Sequence, residues 1–224
     1  VNPTTSALEN ISTMTEEEIR QILAGNVTNW TDLGYETTTA NKAITTCQRT
    51  VGSGTLATLD QTIMRPKFWS GGINGTASAT NVANASSSNV VTCLQNNANS
   101  IGYIDSDTVP TLVGGAYQVA INGQPVNNGA LGTGVARLTS LRCGRYPYWA
   151  DWNFITRTAG VEVAPINAAA GTNAAITALG TAMTTNNPLP DYWLSENDTF
   201  VFKNDDRGPF NWFTPSNNGA AVAA

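Results

Sequence analysis

The seven residues Arg49-Thr50-Val51-Gly52-Ser53-Gly54-Thr55 constrain this chain more than any other stretch. A short β-type run, 43–47, precedes them, and an amphipathic helical run, 56–64, follows. The order is strand, Gly-rich turn, helix. Such a turn points free backbone N–H groups at whatever sits above the helix N-terminus, where the helix dipole adds partial positive charge. Ser53 and Thr55 add hydroxyls, and Arg49 adds a planar cationic fork suited to a tetrahedral oxyanion. Together they read as an anion cradle. The plainer reading is an ordinary Ser53 N-cap behind a common turn, and on this segment alone it weighs more.

The rest of the chain narrows the chemistry. There is no histidine, so imidazole catalysis and histidine metal sites are excluded. Charged residues make up 12% and the net charge is −5, which argues against nucleic-acid binding. Asn (25) and Thr (31) form a quarter of the 224 residues, a hydrogen-bonding and weakly charged surface that suits an extracytoplasmic setting. No apolar run approaches the ~20 residues that span a bilayer. The chain starts at Val1, from which removal of an N-terminal segment is expected. Cys47, Cys93 and Cys143 are too few and too far apart for a zinc site. At most one intrachain disulfide is expected, with Cys93–Cys143 as the candidate pair and Cys47 the free thiol on a buried strand.

Thr15 and Glu18 have capping-box spacing ahead of a helix with Ile19, Ile22 and Leu23 on one face, and Gly25 ends it. Trp30 anchors the turn that follows. Leu56, Leu59 and Ile63 line a single helix over 54–64. Residues 70–88 read as a long loop, 89–97 as a short helix and 100–104 as a buried strand. Residues 117–121 and 124–126 flank Asn122-Gly123 as a hairpin. Residues 127–145 read as loop, 148–157 as an aromatic strand, 174–183 as a helix, and the chain after Pro188 as aromatic and irregular. Strands alternate with helices, so the fold class is α/β.

In this order the pieces resemble the phosphate-binding solute receptors of bacterial ABC importers, the PstS-like branch of the type II periplasmic binding proteins. Val1-Asn2 resembles the first hinge strand. The helix and turn over 15–30, with Ile22-Leu23-Ala24-Gly25 and Asn29-Trp30, resemble that family's corresponding elements. Residues 49–55 match its R-x-x-G-S-G-T anion loop, and Ser100-Ile101-Gly102-Tyr103-Ile104 matches its I-G-Y strand. Tyr146-Pro147, running into 152–156, resembles the returning hinge strand. The resemblance implies that Arg49, Ser53, Gly54 and Thr55 contact phosphate or a similar oxyanion, with no metal, cofactor or catalysis. It implies one complete α/β lobe over 5–145 and a partial second one over 1–4 and 146–224. The family also has a stretch on the scale of a small domain ahead of the first hinge strand. A second polypeptide or a neighbouring copy is therefore expected to complete the partial lobe. In the family an acidic residue stands where this chain has Val51, which leaves Arg49 without its usual orienting carboxylate.

Three functions follow. The first is a periplasmic or extracellular solute-binding protein with a phosphate-type cradle. The second is a structural subunit of an extracellular filament or surface assembly that reuses the fold, with the aromatic segment 192–213 as a contact. The third is an enzyme built on Asp105 and Asp107, which no base or metal cluster joins and which is set aside.

Overall fold

The computed structural model describes residues 11–35, 43–65, 72–76, 78–106, 108, 115–127, 134–149, 201–203 and 210–212. Helix α1 (Glu16–Leu23) forms where local chemistry favours it. Thr15 caps it, the Glu18 side chain returns the bond to the Thr15 amide, and three glutamates occupy its positive first turn. Gly25, at φ 80°, accepts the left-handed geometry that ends it. Ile22 and Leu23 are buried, and Ile19 packs half-buried beside them.

Three strands form a parallel sheet in the order β3-β2-β4: β2 (Thr45–Arg49), β3 (Asn81–Asn84) and β4 (Ser100–Gly102). Strand β2 lies in the middle, with Cys47 opposite Val82 on one side and Gly102 on the other. Helix α2 (Gly54–Leu59) continues as a π-helical turn, Asp60–Met64, so the expected single helix over 54–64 changes winding midway. Helix α3 (Ser87–Asn96) leads from β3 back to β4 and lays Val90, Cys93 and Leu94 on Cys47. A short strand β1 (Thr13–Met14) pairs in parallel with β5 (Ala120–Ile121). Asn122 (φ 52°) and Gly123 (φ 75°) then turn the chain so that Gln124 bridges back to Ile121, but the hairpin expected from 117–121 and 124–126 does not form: that bridge is isolated, and β5 pairs with β1 instead.

Several expectations are corrected. A strand, β3, lies within the 70–88 segment read as loop. Asn at both ends gives it little β-propensity, and pairing with β2 overrides that, helped by Asn84 Nδ2, which donates to the Gln48 carbonyl at 3.0 Å. A 3-10 turn (Gly134–Leu138) and helix α4 (Thr139–Arg142) lie within 127–145, also read as loop. Within the aromatic segment after Pro188, β6 (Val201–Lys203) and β7 (Phe210–Trp212) pair antiparallel. The cysteine pairing is different as well. Cys47 is bonded to Cys93, with Cα atoms 5.9 Å apart, and Cys143 is the free, half-buried thiol. Burial of Cys47 suggested isolation, but the face that buries it is the one α3 covers with Cys93. The hinge strands expected at 1–2 and 152–156, the helix expected at 174–183 and the two-lobe division lie outside the described residues.

Gly102 shows how closely α3 and β4 approach β2. A Cβ there would meet the Cys47 carbonyl oxygen at 2.8 Å and Val90 Cγ1 at 3.0 Å. Backbone cannot yield as a flexible side-chain tip can. Gly102→Ala is expected to lower stability by about 1–3 kcal/mol, read as a drop in the urea midpoint at unchanged slope.

Candidate functional site

The carboxyl ends of β2, β3 and β4 converge on one group of polar side chains. Ligands of open parallel α/β sheets bind outside these ends. Arg49 is the last residue of β2, Ser87 opens the helix after β3, and Asp105 lies three residues beyond β4. After Arg49 the chain turns tightly: the Ser53 amide donates to the Thr50 carbonyl at 3.2 Å, and Gly52 takes φ 90°. The Thr50 amide donates to the Asn84 carbonyl at 3.0 Å and ties the turn to β3. Ser53 is the N-cap of α2, its hydroxyl accepting from the Leu56 amide at 3.3 Å. Among the described residues the Gly54 and Thr55 amides have no acceptor.

Arg49 folds over this turn. Its Nη1 donates to Thr55 Oγ1 at 3.1 Å and to Ser87 Oγ at 2.8 Å, and Nη2 donates to the Ala85 carbonyl at 3.3 Å. Its Nε is buried and has no hydrogen-bond partner among the described residues. Thr55 and Ser87 pass their own protons on to Asp105, at 2.9 Å to Oδ1 and 2.7 Å to Oδ2. Guanidinium and carboxylate thus communicate through two hydroxyls. Val51 is 93% exposed and plays no part in holding the guanidinium. Two hydroxyls and a carbonyl hold it without an acid at position 51.

Two tyrosines close the network from behind. The Tyr103 hydroxyl accepts from the Arg49 amide at 3.2 Å, and the Tyr148 hydroxyl donates to the Thr55 carbonyl at 3.2 Å. Burial raises the pKa of both phenols, and for Tyr148 the nearby Asp105 carboxylate raises it further. Both stay neutral at physiological pH and act as hydrogen-bonding groups without adding charge.

The structure therefore brings Arg49, Ser53, Gly54 and Thr55 together around one turn. Ser87 carries no signal in the sequence, because residues 70–88 read as a loop. Asp105 stands out in the sequence only as half of an acidic pair, whose other member, Asp107, lies outside the described residues. A signal was present: Asp105 follows the strand motif Ser100-Ile101-Gly102-Tyr103-Ile104 directly, at the end of the sheet where ligands sit. Among the described residues, no three His, Cys, Asp or Glu side chains cluster to hold a metal ion.

A family model described as a PBP superfamily domain matches residues 1–187. The chain belongs to the PBP superfamily. Its fold, mixed α/β with parallel strands, is that of type II periplasmic binding proteins. PstS from Borrelia burgdorferi is similar in structure, with a TM-score of 0.50 at 17% identity over 64% of this chain and 52% of that one. An ABC-type phosphate transport receptor from Vibrio cholerae (TM-score 0.45, 17% identity) matches over 66% of this chain and 51% of its own. A putative phosphate ABC transporter substrate-binding protein from Clostridium perfringens (TM-score 0.43, 23% identity) matches over 58% and 47%. The chain thus spans about half the length of these PBP structures. No curated protein matches it significantly.

Proposed function

We propose that this PBP-superfamily chain is the anion-binding lobe of an extracytoplasmic solute receptor, and that its ligand is phosphate or a similar tetrahedral oxyanion. The observation that carries the reading is Arg49, clamped by Thr55, Ser87 and Ala85 over a turn whose Gly54 and Thr55 amides are unused among the described residues. A guanidinium beside free amides at a helix start is a built receptor for a negative tetrahedral group. Binding rather than catalysis is the proposed role. The Cys47–Cys93 disulfide supports an extracytoplasmic location, since such bonds persist in oxidising compartments. No helix of the described residues is long and apolar enough to cross a membrane. In this reading the opposite wall of the site comes from whatever polypeptide completes the partial lobe. Nothing in the described residues favours the filament alternative over it.

Inorganic phosphate at millimolar concentration is expected to raise the melting temperature, because a ligand that binds only the folded state stabilises it. Arg49→Ala is expected to remove the shift. A wild-type melting temperature indifferent to phosphate, or an equal shift in Arg49→Ala, would refute the assignment.

A further inference from the structure

We propose that Asp105 is a built-in competitor for the oxyanion, a carboxylate of the chain itself that occupies the cradle's hydroxyls when no ligand is bound. The proposal rests on the oxyanion reading of this site and adds a regulator to it. A hydroxyl has one proton. The Thr55 proton goes to Asp105 Oδ1 at 2.9 Å and the Ser87 proton goes to Oδ2 at 2.7 Å. The lone pairs of both hydroxyls take Arg49 Nη1. Neither hydroxyl can donate to a bound anion while Asp105 holds it. Thr55, the residue the anion-loop motif assigns to the ligand, is therefore already committed.

The carboxylate also answers the charge of Arg49. It lies one hydroxyl away from the guanidinium on two sides, so an arriving anion meets a partly neutralised cation. Asp105 is itself exposed. Its side chain can turn into solvent at small cost, freeing both hydroxyls to donate to the ligand. The occupied state then exchanges one two-oxygen acceptor for another, with Arg49 held throughout by the Ala85 carbonyl. Affinity is set by the difference between ligand and resident carboxylate.

Titration calorimetry with inorganic phosphate tests this on the whole chain, comparing wild type with Asp105→Asn and Asp105→Ala. Removing a charge this close to the anion is expected to tighten phosphate binding at least about tenfold. The gap should shrink as salt is added, because Asp105 is exposed. Arg49→Ala/Asp105→Asn should not bind. Asp105 variants that fold and bind phosphate no better than wild type overturn the competitor and leave the oxyanion reading standing. Loss of folding in both variants also overturns it, since a displaceable side chain is not a structural brace. Absence of binding in wild type and folded variants alike overturns both.

Discussion

Trp30→Ala is expected to cost about 3–5 kcal/mol of folding stability, the range for truncating a large buried aromatic. Trp30 has no solvent exposure and sits in the cluster of Ile11, Met14, Ile22, Ile44 and Ile101. Its ring meets Tyr35 edge-on, with centroids 5.8 Å apart. Its Nε1 donates to the Asn99 carbonyl at 2.9 Å, an acceptor that also takes the Thr45 amide. One side chain therefore joins the turn after α1, the start of β2 and the start of β4. The cavity left by alanine would loosen the two strands that deliver Arg49 and Asp105. Trp30→Phe keeps most of the apolar volume and should lose distinctly less. Urea unfolding followed by far-UV circular dichroism reads both. A Trp30→Ala loss below about 1 kcal/mol, typical of a surface change rather than a core truncation, would contradict the packing described.

Opening the Cys47–Cys93 bond is expected to have an effect of similar size. The bond closes a loop across 46 residues, and chain entropy puts its contribution at about 4 kcal/mol. It also fastens β2 to α3, the two elements whose ends present Arg49 and Ser87. A Cys47→Ser/Cys93→Ser variant should melt well below the oxidised protein, and a reductant should lower the wild-type melting temperature but not the variant's. Peptide mapping without reduction should recover Cys47 joined to Cys93 and only Cys143 alkylated. A Cys93–Cys143 peptide would overturn the pairing.

What the sequence by itself determined about this protein is local. The Thr15–Glu18 box, the Ser53 cap, the Gly25 and Gly52 turns and the Asn122-Gly123 reversal each depend on residues at most a few positions apart, so their chemistry is written in short spacings. The order strand, Gly-rich turn, helix was legible for the same reason, and with the I-G-Y strand it was enough to name the fold. The tertiary structure decided what joins distant positions. Asp105 reaches Thr55 across 50 residues, Arg49 reaches Ser87 across 38, and Cys47 finds Cys93 across 46. Each contact exists only because the parallel register of β3, β2 and β4 sets three strand ends side by side. Strand β3 itself came from that pairing, since Asn81-Val82-Ala83-Asn84 has little intrinsic preference for extended structure. The choice of disulfide partner had the same origin. Burial, read along one strand, says that Cys47 is covered; only the packing of α3 on the sheet says by what.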